Sequence, residues 1–396
     1  MRVAMVAPVE MRVPPVGYGG TELVVSLLTE ELVRRGHDVT LFASGDSATN
    51  AKLVSVCDKF VRGSGRDGGI LTMLNVLNCL EQADFFDIIH NHTCFEGLST
   101  AGLVSTPVLT TLHGGLAGDG LLLFEHYRGW WNTISNSAIS LLPTKDRFVG
   151  TIYNAIDVES YPFNGGRRDD YLLFLSRMSY EKGPHLAIEA ARRLKLRLVL
   201  AGNVGSVDQE YFQVQVLPHV DGDAIQYVGE AEFQYKRELM AGARCVLASI
   251  TWPEPFGLFM IEAMACGTPV VAFNRGSAPE LVRHGVTGYV VETLDQMVQA
   301  VQQVHLIDPK DCREHVGQHF DVPRMTDDYL AAYEGILDAE TGVKTEASLP
   351  AALVALVPYS VRHRGGERTS PPDEGTPPVI PEALAGNSSG AAISPN

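Results

Sequence analysis

Two carboxylates, Glu254 and Glu262, lie with seven residues between them in the stretch Trp252 to Val271. There an apolar strand, Cys245 to Ile250, hands over to a helix. Pro253 and Pro255 stiffen the turn, and each removes a backbone donor. Gly257 allows a close backbone approach where the helix begins. A helix start offers unpaired N–H groups and the positive end of the dipole, which suits phosphate. Glu254 falls in the loop and Glu262 on the helix, so both can line one cleft at different depths. Carboxylates beside a phosphate site suit a ligand that carries hydroxyls as well as phosphates. The competing reading is plain: acids favour first turns, and both could be solvated helix charges.

Four further places carry usable chemistry. Arg177 and Lys182 converge on the mouth between the strand Tyr171 to Leu175 and a helix that Pro184 opens. Two cations there can clamp a pyrophosphate, with arginine supplying a planar fork. His113 follows the strand Pro107 to Leu112, at the edge where open α/β sheets bind ligands. A histidine satisfied within the fold is the alternative. Gly19 and Gly20 open a helix after the first strand and either hold a phosphate or only make the turn. Gly202 ends the strand Leu196 to Ala201. His90-x-His92 could ligate a metal, but no third ligand stands nearby. The strand is expected to turn the two rings to opposite faces, so no metal site is assigned.

The elements that must position these groups follow a repeated plan. Strand Val3 to Ala7, a Pro/Gly-rich loop, helix Thr21 to Arg35 and strand Val39 to Ala43 form a βαβ unit. The dinucleotide fingerprint G-x-G-x-x-G is missing, and Asp46 is a doubtful ribose acid. Residues 50 to 69 read as irregular, Leu71 to Ala83 and Ala138 to Lys145 as helical, and Gly288 to Val291 as an edge strand. Asp321 to Ala339 reads as a closing helix or a pair of helices. The expected division is 1–153, 154–320, a returning helix at 321–342, and a Pro/Gly/Ser-rich, disordered tail at 345–396 with an apolar island, Leu349 to Tyr359.

The totals exclude several classes. A chain of 396 residues is too long for one ordinary core and fits two domains. A net charge of −16 argues against nucleic acid as the main partner and disfavours an anionic membrane surface. The six cysteines form no C-x-x-C pair, which indicates neither zinc nor redox chemistry. No signal-peptide pattern opens the chain, and no apolar run approaches about 18 residues. A soluble, cytoplasmic protein without an integral membrane segment is expected.

Pro-Glu-Pro-Phe-Gly-Leu at 253–258, followed by Glu-Ala-Met-Ala-Cys-Gly-Thr-Pro-Val-Val at 262–271, resembles the motif of family 4 retaining glycosyltransferases. The likeness spans about 1–340. Ser176 and Ala155 stand where the family often has glycine. The resemblance implies an α/β fold of two Rossmann-like domains facing across a cleft, the GT-B type. It implies a hexosyltransferase that moves a sugar from a nucleotide-sugar donor to an acceptor the sequence does not identify, with retained configuration. It places Gly19 and Gly20 at the donor phosphates, His113 and Glu254 at the donor sugar, and Glu262 on the ribose. Phe256, Gly257 and Leu258 would donate backbone N–H groups. Arg177 and Lys182 would offset charge on the leaving diphosphate, and the Gly202 loop would face the base. The strand end at His90 would border the acceptor pocket. No cofactor and no divalent metal is expected. A sugar-nucleotide epimerase or phosphorylase on the same scaffold, or a non-catalytic nucleotide-sugar binding protein, remains open.

Overall fold

The computed structural model describes residues 1–342 apart from Tyr18, Ala117, 143–145 and 167–168. The expected tail and its apolar island lie outside the described residues. Short strands buried on both faces dominate, as parallel sheets require. In the first half these are β1 (Arg2–Val6), β2 (Asp38–Phe42), β3 (Lys52–Val54), β4 (Ile88–Asn91), β5 (Val108–Leu112), β6 (Trp130–Thr133) and β7 (Phe148–Thr151). Helices α1 (Gly20–Arg34), α2 (Gly68–Leu80), α3 (Phe95–Thr100) and α4 (Asp119–Glu125) connect them. The sheet order is β3-β2-β1-β4-β5-β6-β7, all parallel.

The second half repeats the plan. It holds β8 (Tyr171–Leu175), α5 (Pro184–Leu194), β9 (Arg197–Ala201), α6 (Gln209–Tyr211), β10 (Ile225–Tyr227), α7 (Phe233–Gly242), β11 (Cys245–Ala248) and α8 (Leu258–Ala265). Then come β12 (Val270–Phe273), α9 (Ala278–Leu281), β13 (Gly288–Val291), α10 (Leu294–Gln303), α11 (Pro309–His319) and α12 (Val322–Thr341). Its parallel order is β10-β9-β8-β11-β12-β13, with β13 at one edge.

Both sheets reverse their winding beside the first strand, between β1 and β4 and between β8 and β11. Ligands of open α/β sheets bind outside the carboxyl ends of the strands at such points. The loops leaving those four strands carry Gly19–Gly20, His92, Arg177–Lys182 and Glu254–Gly257. The topology thus gathers segments that are far apart in the chain.

Alternation along β1 sends Val3 and Met5 into one core and Ala4 and Val6 into another, which fixes the two covered faces of the first sheet. α12 contributes Met325, Tyr329, Tyr333 and Ile336 to the first of these cores, so the chain's last described helix packs on the first sheet beside α1. The chain passes between the halves at two adjacent points, where Ile156 pairs with Asp321 and the Ile156 N–H donates to the Phe320 carbonyl at 3.0 Å. One hydrophobic core fills the second half around β8, β11, β12 and α8.

Some local readings differ. The irregular segment contains β3, three residues paired to β2. The helical run near 138 is a 3₁₀ stretch, Asn136–Leu141, and residues 143–145 of it lie outside the described residues. The closing segment is one 20-residue helix. α11 lacks a long apolar stripe in its sequence, yet Cys312 and Val316 are fully buried under it. Tertiary contact decides that helix, and propensity alone does not reveal it.

Candidate functional site

On the second-half side, glycines set the geometry. Gly257 caps α8 in the left-handed region (φ 83°, ψ 64°), a conformation that costs other residues about 1–2 kcal/mol. The Met260 N–H donates to the Gly257 carbonyl at 3.0 Å, and the N–H groups ahead of it in the first turn of α8 have no intrahelical acceptor. Gly276 (φ 54°) lies against the backbone of Glu254: a Cβ there would stand 2.3 Å from both its N and its O. The Ser277 N–H donates to the Glu254 carbonyl at 3.0 Å, and Ser277 Oγ donates to the Phe256 carbonyl at 2.6 Å. The Asn274–Ser277 loop therefore holds the Glu254 turn from behind.

Glu254 is engaged by two donors. Lys182 Nζ bonds its Oε2, and Trp252 Nε1 donates to the same oxygen at 2.8 Å. Lys182 also sits 5.1 Å from the centre of the Trp252 ring, which favours the cation. Both charged side chains are almost fully buried, at 10% and 12% exposure, so each depends on the other for compensation. Gly183, at φ 74°, lets the Lys182 turn pass within contact of the Ser249 carbonyl. Arg177 lies between two carboxylates, bonded to Glu181 and 3.3 Å from Asp208. Gly202 packs against the Ser176 carbonyl, where a Cβ would come within 1.9 Å.

Glu262 departs from the expected arrangement. It is 3% exposed, and its Oε1 accepts from Tyr161 Oη at 2.8 Å and from Lys236 Nζ at 2.7 Å. Burial and the adjacent carboxylate push the Tyr161 hydroxyl well above its ordinary range. None of these neighbours is shared with Glu254. A ribose reaching Glu262 must displace Lys236 or join it. Phe256 is also inward: its ring is 3% exposed and packs 6.1–6.2 Å from Tyr153 and Phe320.

The first-half side is built from neutral rings. His113 Nε2 and His92 Nδ1 are 2.8 Å apart, and His92 Nε2 faces Met5 Sδ at 3.0 Å. Burial lowers His113 to about 4 and holds His92 and His90 well below the usual imidazole range. His90 and His92 do not point to opposite faces as expected. Residues two apart on a strand share a face, and their ring centres are 4.0 Å apart. Both His90 nitrogens are committed, to Tyr333 Oη at 2.6 Å and Thr111 Oγ1 at 2.7 Å. Among the described residues, no group of three or more His, Cys, Asp or Glu is arranged to hold a metal ion. No described helix is long and apolar enough to cross a membrane.

The two sides touch at the helix starts. A Cβ on Gly20, at the start of α1, would lie 3.4 Å from Leu258 Cδ1 at the start of α8. Gly17 lies against Glu230, where a Cβ would meet Oε1 at 2.5 Å. Glu280 of α9 reaches the first half, accepting from the Asn136 and Ser137 N–H groups at 2.8 and 2.7 Å and from Tyr153 Oη at 2.9 Å. Sequence reading missed Glu280, Asp208, Gly276 and the His92–His113 pair. Gly276, a glycine in a short loop beside the motif, and His92, two residues from His90 on one strand, left a signal there.

Comparison with known proteins agrees with this architecture. The Glycosyltransferase Family 4 model matches residues 18–159, and the glycosyl transferases group 1 model matches residues 159–316. A putative glycosyltransferase of Bacillus subtilis (strain 168), YtcC, is 24% identical over 341 residues, covering 75% of this chain and 80% of that one. AviGT4, a glycosyltransferase involved in avilamycin A biosynthesis, superposes with a TM-score of 0.65 at 24% identity, covering 85% of this chain and 98% of its own. Anabaena Alr3699/HepE, solved in complex with UDP-glucose, gives a TM-score of 0.64 at 20% identity, covering 87% and 100%. The two matched family models abut at residue 159, where the chain leaves the first sheet for the second, and the chain belongs to the family 4 glycosyltransferases of GT-B fold.

Proposed function

We propose that this glycosyltransferase takes a hexosyl group from a nucleotide-sugar donor and passes it to an acceptor hydroxyl with retention at the anomeric carbon. The observation that carries the reading is the convergence of two helix starts, at Gly20 and Leu258, on one crevice beside the buried Lys182–Glu254 pair. Helix starts favour phosphate, and a buried carboxylate that can be released favours sugar hydroxyls. Structures of Alr3699/HepE hold UDP-glucose, which supports a donor of this class.

In this reading the diphosphate rests on the α1 and α8 starts and draws Lys182 and Arg177 from their carboxylates. Glu254, freed from Lys182, accepts hydrogen bonds from the donor sugar. The bond from the anomeric carbon to the diphosphate oxygen breaks, and the electron pair leaves with the diphosphate. The acceptor oxygen bonds to the anomeric carbon on the same face and gives its proton to the departing phosphate. Lys182 and Arg177 stabilise the charge that builds there. His113, neutral above about pH 4, offers a ring nitrogen to the sugar without adding charge. Glu262 meets the ribose through its second oxygen. Gly202 keeps the base-side loop close, and no divalent metal takes part.

YtcC and AviGT4 are glycosyltransferases by name, and no observation favours the epimerase, phosphorylase or sensor readings. Product NMR after transfer tests the stereochemistry: a retained anomer is expected, and an inverted one contradicts the proposal. Full activity in a chelator is expected, and activity restored only by Mg²⁺ or Mn²⁺ contradicts the metal-free part.

A further inference from the structure

A cavity lined wholly by first-half residues lies away from the Lys182–Glu254 pair. It holds about 550 Å³ between α2, α3 and α4. Its walls are Ile70, Met73 and Leu74 of α2, Phe95 of α3 and Leu123 of α4, with Glu96 as its one carboxylate. α2 has no charged side chain in thirteen residues. Its inner face buries Leu71, Val76 and Cys79, yet its outer face is apolar too: Ile70 is 61% exposed and Leu74 46%. A helix apolar on both faces expects a second partner, and an exposed apolar patch of this kind marks a binding surface.

Position narrows the occupant. α3 begins three residues after His92, and α4 six after His113, so both groove walls are continuous with the loops that carry those rings. A Cβ on Gly120 of α4 would meet the Phe95 ring at 2.9 Å, so the two walls are in contact at that end. The start of α2 touches the loop after β1, where Glu10 lies against Gly68. Lys59, Arg62 and Arg66 are exposed on the segment that leads into α2. Asp67, one of two carboxylates in that segment, is committed to the Ile70 N–H as its helix cap. The Val61 and Arg62 N–H groups donate to the Val9 and Glu10 carbonyls at 3.1 Å, so the segment runs along the loop that leads from β1 to Gly19. The basic segment thus joins the start of α2, at the groove, to the loop that runs on to Gly19, in a chain whose net charge is −16.

We infer that the groove receives the hydrocarbon chain of an anionic amphiphilic acceptor, whose headgroup passes Arg62 and Arg66 to reach the cleft. This rests on the proposed reading that the acceptor enters against the first sheet. It adds a substrate class: a hydroxyl-bearing headgroup with a phosphate, on a single alkyl or prenyl chain.

Decyl phosphate, decyl maltoside and inorganic phosphate serve as probes by titration calorimetry below micelle formation, with the full chain. Decyl phosphate is expected to bind saturably, and inorganic phosphate not to compete. Leu74→Asp and Phe95→Asp are expected to weaken binding about tenfold or more. Both side chains are already exposed, so thermal stability and nucleotide binding should be unchanged. Arg62→Gln with Arg66→Gln is expected to weaken decyl phosphate but not decyl maltoside. Absence of saturable binding, equal binding by the Asp variants, or equal affinity for maltoside overturns the inference. So does a concentration-dependent dimer that Leu74→Asp abolishes, since a second copy would then fill the groove. Loss of nucleotide binding with decyl phosphate binding intact would count against the donor reading and leave the groove standing.

Discussion

The two halves share a plan but solve different problems at the same edge. The second half places its charges in preformed pairs, Lys182 with Glu254 and Arg177 with Glu181 and Asp208. Left-handed glycines at 183, 257 and 276 fix the turns that carry them. Among the described residues, the first half has no such pair at the carboxyl ends of its strands. It presents neutral imidazoles backed by hydroxyls, and beyond them an apolar groove. A side built to receive a diphosphate needs cations held until the ligand exchanges for their partners. A side built for a hydroxyl acceptor needs orientation without charge.

The comparison is broken most severely at Lys182. Lys182→Ala leaves Glu254 buried and uncompensated, and should cost about 3 kcal/mol of stability along with donor binding. Chemical denaturation checks the first part. In the double variant with Glu254→Gln, much of that loss should return, because no buried charge is left alone. Gly276→Ala should follow. Strain of about 1–3 kcal/mol is expected from the left-handed backbone, and the added Cβ must also push the Glu254 backbone away. Activity should fall more than melting temperature alone explains. Glu254→Gln should lower kcat about 10²-fold or more while nucleotide diphosphate still binds, a split that steady-state kinetics beside calorimetry resolves.

On the first-half side the effects are smaller and depend on pH. His90, His92 and His113 are held neutral by burial, so the unfolded chain binds more protons between its ordinary histidine range, near 6.5, and about pH 4. Their contribution is complete above about pH 6.5 and is lost as pH falls toward 4. A melting series should show that decline, and His113→Asn should make it shallower. Least of all, Glu280→Gln weakens a contact between the halves that accepts two backbone N–H groups and one hydroxyl. A stability change of about 1 kcal/mol is expected, with a larger change in donor KM if the contact holds the cleft closed.

What could be read in the sequence follows the same division. The strand β11, the turn at Glu254 and the start of α8 are contiguous, and local chemistry of proline, glycine and glutamate writes them directly. Arg177 and Lys182 were equally visible, because a strand, two cations and a helix-opening proline lie within fourteen residues. Glu262 shows the limit: its spacing from Glu254 says nothing of Tyr161 and Lys236, which arrive from other elements and bury it. Asp208 and Glu280 were invisible for the same reason. His90 and His92 carried a usable signal, since residues two apart on a strand share a face. Reading that period correctly would have brought the rings together. The groove could not be read at all, because three helices from separate segments make it.

The central claim is that a nucleoside diphosphate group rests between the starts of α1 and α8 and takes Lys182 from Glu254. Titration of UDP, GDP and ADP into the wild-type protein and Lys182→Ala tests it most directly. One diphosphate should bind the wild type, with affinity reduced about a hundredfold or more in the variant. Equal affinity in the two proteins, or no binding of any of the three to the wild type, would contradict the account.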